Sequence, residues 1–273
     1  MLRSSRRLAA LAALTLALAL PGIASASHSW GGYHWARTAN PFTLKLGDNV
    51  NSTWDSFLST TSSDWSKSTV LDTRIVPGAA NPRNCRPTAG QDQICNASYG
   101  NTGWLGVAQI WITGGVHITQ GTVKVNDTYF DTATYNTTAW RNLVMCQEVG
   151  HTFGLDHQDT NFNNANLGTC MDYTNSPGTN QHPNAGDYDE LLCIYDPASA
   201  GKTLTNGGHS CTGTGHLDSS TTISAALPAG SAASAAAASG WGREVARLNG
   251  GHTSVFVNDL GGGNQVVTFV IWA

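Results

Sequence analysis

Apolar and polar residues alternate across residues 42–46 and predict a first strand, closed by Gly47-Asp48. From 51 to 65 the period changes: Trp54, Phe57, Leu58 and Trp65 fall near one helical face, with Asn51 or Ser52 available as a cap. Residues 70–76 are β-rich again, so strand, helix and strand in this order predict a right-handed parallel crossover. At this spacing the tryptophans read as core rather than as ligand-stacking groups. Residues 77–103 are rich in Pro, Gly and Asn and predict a long loop. Two strands follow at 104–113 and 118–125, the second ending at the turn signal Asn126-Asp127. If that second strand lies at a sheet edge, it could hold an extended peptide by main-chain hydrogen bonds.

Asn136-Thr137-Thr138 opens a second helix, along which Trp140, Leu143 and Val144 recur at helical spacing. Gly154 ends it, because glycine accepts the positive φ of a sharp turn. A loop at 168–175 carries Met171, and 188–195 predicts a last helix closing at Asp196-Pro197. Beyond about residue 216 the composition shifts to Ser, Thr, Ala and Gly, a linker-like signal over 217–240. The tail, 241–273, contains two strand-like runs at 253–257 and 265–272 joined by Gly261-Gly262-Gly263-Asn264. A lone hairpin is marginal in water, so this tail is expected to dock on the main domain or on a partner.

Composition narrows the classes. The chain has 273 residues, 40% of them hydrophobic, enough to bury one full core with length to spare. A formal charge of −4 offers no basic footprint for nucleic acid. Residues 1–26 read as a secretory signal: Arg3, Arg6 and Arg7 precede an apolar run at 8–20, and Ala24-Ser25-Ala26 is a cleavage site. The mature protein is then expected outside the cell, with no membrane association after cleavage. Export makes the six cysteines candidates for disulfides. Cys85 with Cys95 and Cys193 with Cys211 are the local pairs. Cys146 and Cys170 remain, either bridged or with Cys146 as a buried free thiol.

The chemistry concentrates at 146–157, Cys-Gln-Glu-Val-Gly-His-Thr-Phe-Gly-Leu-Asp-His. Residues four apart on a helix share a face, so Glu148 and His151 belong to a site at which a carboxylate stands beside a metal-binding imidazole. The turn at Gly154 brings His157 back toward His151. With this pattern the chain resembles the metzincin zinc endopeptidases, particularly their matrixin-like bacterial members. Their motif, His-Glu-x-x-His-x-x-Gly-x-x-His, is matched at Glu148, His151, Gly154 and His157 and departs at Gln147. Their methionine-containing turn is matched by Cys170-Met171-Asp172-Tyr173. The resemblance covers roughly 42–196 and does not reach the tail. It implies an α/β (α+β) fold: a twisted mixed sheet, an active-site helix, a Met-turn and a C-terminal helix, in a catalytic domain over 27–216.

The resemblance further implies zinc held by His151, His157 and a third ligand, with Glu148 as base and acid. Tyr173 would stabilise the oxyanion, and Met171 would pack beneath the metal. A peptide or protein substrate would lie antiparallel to an edge strand near 118–125. Gln147 occupies the position of the first histidine, and an amide oxygen is a poorer zinc donor than imidazole. Asp159 is the alternative third ligand, with Asp156 also placed for it. Two readings therefore compete: a working secreted peptidase, or a catalytically silent protein that binds peptide in the same cleft. A metal-free module displaying the tail is a third. Asp/Asn-rich turns could also hold structural calcium, although no stretch has EF-hand spacing. The Pro82-to-Pro87 segment only superficially resembles a matrixin cysteine switch, having one residue too many.

Overall fold

The computed structural model describes residues 28–159, 161–204, 210–211 and 240–273. The expected signal segment and nearly all of the 217–240 linker lie outside these. Along the chain come β1 (His34–Trp35), β2 (Phe42–Asn49), α1 (Asp55–Trp65), β3 (Leu71–Pro77), β4 (Gln91–Ala97), β5 (Trp104–Thr113) and β6 (His117–Asn126). Then follow α2 (Asp127–Phe130), α3 (Thr138–Thr152), α4 (Ala185–Tyr195), β7 (Arg243–Leu248), β8 (Thr253–Gly261) and β9 (Asn264–Trp272). Among the described residues the strands form one nine-stranded sheet in the order β3-β2-β4-β6-β5-β9-β8-β7, with β1 paired to the start of β6. The half from β3 to β6 is parallel, and the half from β6 to β7 is antiparallel. The molecule is therefore mixed α/β, with the expected β2-α1-β3 parallel crossover present.

The main core lies between one face of the sheet and helices α1 and α3. Leu46, Ile94, Ala108, Ile110 and Val123 from the strands meet Leu58, Trp65, Val144 and Val149 from the helices, all fully buried. Trp65 joins the two helices through its indole nitrogen, which donates to Cys146 O at 3.2 Å. α3 begins at the Thr137 hydroxyl, which accepts from Trp140 N at 3.2 Å. Its last carbonyls are also used: Trp35 Nε1 donates to Thr152 O at 2.8 Å and Tyr195 Oη to Phe153 O at 2.8 Å.

Two expectations are corrected. The 77–103 segment is not all loop, because β4 runs through it between β2 and β6. Its sequence Gln-Asp-Gln-Ile-Cys-Asn-Ala hides the strand: polar side chains are buried and find partners on other elements, Asn49 Nδ2 donating to Gln93 Oε1 at 2.7 Å. The 118–125 strand is not an edge, since β6 is hydrogen-bonded by β4 on one side and β5 on the other. A peptide cannot add there. The tail contributes three strands rather than two; β7, largely exposed, lacks the apolar run by which β8 and β9 are recognised.

Three disulfides are formed, Cys85–Cys95, Cys146–Cys170 and Cys193–Cys211. They suggest an extracellular or otherwise oxidising compartment. No helix among the described residues is long and apolar enough to cross a membrane.

Candidate active site

The last two turns of α3 carry Gln147, Glu148 and His151, all buried. Gly154 follows at φ +92°, and a Cβ there would stand 2.0 Å from Tyr33 O. Only glycine can make this turn against the N-terminal segment, and the turn is what returns His157 to His151. The two imidazoles meet edge to face with centroids 4.5 Å apart.

Each ring is oriented through its Nδ1. His151 Nδ1 donates to Leu155 O at 2.9 Å. His157 Nδ1 lies 3.2 Å from Asp156 Oδ1 and 2.9 Å from the Tyr173 hydroxyl. In both rings Nε2 is buried and has no hydrogen-bond partner. A buried ring nitrogen without a partner is costly, and engagement of Nδ1 leaves Nε2 as a lone pair, the arrangement of a metal-ligating histidine. Burial and the neighbouring His157 push His151 down to about 3, with Leu155 and Asp156 opposing the shift. It is thus a neutral donor at any ordinary pH. Burial works to raise Asp156, yet its hydrogen bonds to His157 outweigh this and hold its carboxyl below the ordinary range.

Glu148 is wholly buried, and no side chain hydrogen-bonds its carboxylate oxygens. Burial drives its carboxyl well above the usual value, with the Ala108 backbone offsetting part of the rise. Space for it is provided by Gly106 on β5, where a Cβ would stand 2.6 Å from Glu148 Oε1. The Met171 loop packs under the helix: at Gly150 a Cβ would stand 2.6 Å from Met171 Sδ. The Cys146–Cys170 bridge ties helix to loop beside it.

Gln147 Nε2 donates to Cys170 O at 2.8 Å. The amide nitrogen is thereby committed, and the oxygen is the atom left for other partners. Among the described residues no three His, Cys, Asp or Glu side chains gather as a metal set. The two imidazoles fit zinc by donor type and by their partnerless Nε2 atoms; the third donor would be the Gln147 amide oxygen, a weaker one. Asp159 is not brought to this group. Its Oδ1 accepts from Asn161 N at 2.9 Å and its Oδ2 accepts from Asn164 Nδ2, so it shapes the loop after His157. Tyr173 lies parallel to the His157 ring at 4.0 Å and hydrogen-bonds it, making it a positioning residue for that imidazole here.

Sequence reasoning did not find the roles of Gly106, Phe269 or Asp156 as a ring-orienting carboxylate. Asp156 was visible as an acid next to His157. Phe269, whose ring stacks on His151 with centroids 4.4 Å apart and planes 6° apart, gave no signal from 118 residues downstream. Comparison with known proteins finds no matching family model and no significantly similar curated protein.

Proposed function

We propose that the chain is a secreted zinc-dependent endopeptidase with a metzincin-like catalytic fold, hydrolysing peptide bonds with Glu148 as the proton-transferring group. The observations that carry this reading are the two buried, partnerless Nε2 atoms of His151 and His157, whose rings meet edge to face, and the wholly buried carboxyl of Glu148 three residues before His151 on the same helix. A structural role would have supplied such groups with hydrogen bonds. The order of strands and helices and the methionine loop beneath α3 also support it. Zinc bound by His151, His157 and the Gln147 oxygen would supply Lewis acidity, lowering the pKa of water and polarising the scissile carbonyl. Glu148, whose carboxyl burial raises above the ordinary range, would take the proton of the attacking water on a carboxylate oxygen and deliver it to the leaving nitrogen. Asp156 and Tyr173 hold His157 in one tautomer, and Leu155 O does the same for His151.

The silent peptide-binding reading is favoured by one observation, the Gln147 amide turned to Cys170 O in a bond needing no metal. Zinc titration of the purified chain and of His151→Ala separates the two, alongside peptide-library cleavage by wild type and Glu148→Gln. Uptake of about one zinc that His151→Ala abolishes, with cleavage lost in Glu148→Gln, is expected. Absence of zinc uptake by wild type at any concentration, with uptake restored in Gln147→His, would leave only the peptide-binding reading.

A further inference from the structure

β5 borders the site through Gly106, which leaves room for the Glu148 carboxylate, and Ala108, whose backbone acts on it, and its outer side is the one from which a peptide strand could be added. That side is filled by the chain's own β9. The two strands run antiparallel in register, Val107 opposite Val270, Ala108 opposite Phe269, Gln109 opposite Thr268 and Ile110 opposite Val267. β9 behaves as a bound extended peptide does, pairing through its main chain while alternate side chains enter opposite faces. Val267 and Phe269 go to the helix side, where the Phe269 ring covers His151 at 4.4 Å; Val266 and Val270 go to the other. The rest of the tail closes the surroundings. His252 stacks on Phe162 of the loop after His157, centroids 4.8 Å apart, and Thr253 stands beside Tyr173. Polar clamps fix both ends of β9: Gln265 Nε2 donates to Tyr33 Oη at 2.7 Å, and Ala273 N to Gly103 O at 2.7 Å.

We propose that the β7–β9 tail is an intramolecular inhibitor: β9 occupies the peptide-binding side of β5, and a substrate reaches the His151, His157 and Glu148 site only after β9 is displaced. This rests on the peptide-hydrolysing reading of that site. Attachment to the same chain favours the tail over free peptide, because a tethered competitor acts at an effective concentration of up to about mM. The ligand that replaces it is of the same chemical class, an extended apolar segment with a large side chain at the Phe269 position.

The test uses full-length chains. Phe269→Ala removes the ring over His151, and Gln109→Cys/Thr268→Cys, whose wild-type side chains are 3.0 Å apart, locks β9 to β5. Binding of a fluorescent peptide with the Asn264–Trp272 sequence is read by anisotropy, and zinc-dependent cleavage with a quenched peptide library; circular dichroism checks the fold. Phe269→Ala should bind and cleave at least ~10-fold better than wild type, and the lock added to Phe269→Ala should abolish both gains. If the locked and unlocked chains bind and cleave alike, the inhibitory tail is overturned while the peptidase reading stands. If Phe269→Ala gains peptide binding that the lock removes but no chain cleaves, the tail proposal survives as a blocked binding edge and the peptidase reading falls.

Discussion

Replacing Gln147 with histidine should change metal affinity and apo stability in opposite directions. In the wild type the buried amide donates to Cys170 O at 2.8 Å. Without a donor that carbonyl is left dry, at a cost of about 1–3 kcal/mol. At roughly 2–4 °C per kcal/mol for a chain of this size, metal-free Gln147→His should melt several degrees below wild type. The new imidazole, one turn from His151, replaces a neutral amide oxygen with a nitrogen zinc prefers. Because even outer-shell changes alter affinity ~10–100-fold, the gain should be at least that, or about 1.4–2.7 kcal/mol. Competition against a chromogenic chelator gives the affinities, and melts with and without zinc give the stabilities. At zinc near 100 times its dissociation constant, linkage returns about 2.7 kcal/mol, so the variant should recover most or all of its loss. Equal zinc affinity in folded wild type and variant would refute the assignment of position 147 as a ligand position.

Three further outcomes follow. Asp92 is wholly buried with its carboxyl pushed up to about 8, so between its ordinary pKa and that value the folded chain keeps a proton the unfolded chain has lost. Stability should therefore fall with rising pH in that window by about 1.4 kcal/mol per unit, and be level above it; Asp92→Asn should remove the slope in denaturant melts, and an unchanged slope would sink the argument. Gly106→Ala places a methyl 2.6 Å from Glu148 Oε1 and 2.7 Å from Val144 Cγ1, so it should cost about 1–3 kcal/mol and at least ~10-fold in cleavage while leaving zinc binding near wild type. Tyr173→Phe keeps the stack on His157 but removes the hydroxyl at Nδ1; zinc affinity should drop about 10-fold, and an unchanged value would show that Asp156 alone holds the ring.

Much of the stretch from β2 to α3 was legible because its signals are local. Trp54, Leu58 and Trp65 repeat at the helix period, and Thr137 and Gly154 mark the ends of α3 by chemistry that acts within a few residues. Disulfide pairing was legible for the near cysteines, whereas the sequence left Cys146 and Cys170 open between a bridge and a buried free thiol, and the structure shows the bridge. β4 was hidden because the buried Asp92 and Gln93 break the usual pattern, Asp92 Oδ2 accepting from Thr152 and Gln93 Oε1 from Asn49, on other elements. Their partners cannot be read from a local window. The edge assignment failed for the same reason. The 118–125 strand is enclosed because β4, the strand hidden in the sequence, pairs along it, Ile94 opposite Val123.

The site holds its shape through bonds that involve no metal. α3 is tied to the methionine loop by Cys146–Cys170 and again by Gln147 Nε2 on Cys170 O. His151 is fixed by Leu155 O across the Gly154 turn, and His157 by Asp156 and Tyr173. In a domain whose metal is the cross-link, removing the ion unfolds the chain, because binding energy is folding energy. Here the cross-links are covalent or made by amides, and the imidazoles are oriented before any ion arrives. A chelator should therefore lower the melting temperature only by the mass-action term, vanishing at low zinc, and leave the near-UV circular dichroism intact. Loss of tertiary signal on chelation would mean that these contacts do not hold the helix and loop together. A pre-formed site also gives Gln147 a coherent role. Under the proposed zinc site, the position would tolerate a weak ligand because its structural duty, holding Cys170, is discharged by the amide nitrogen.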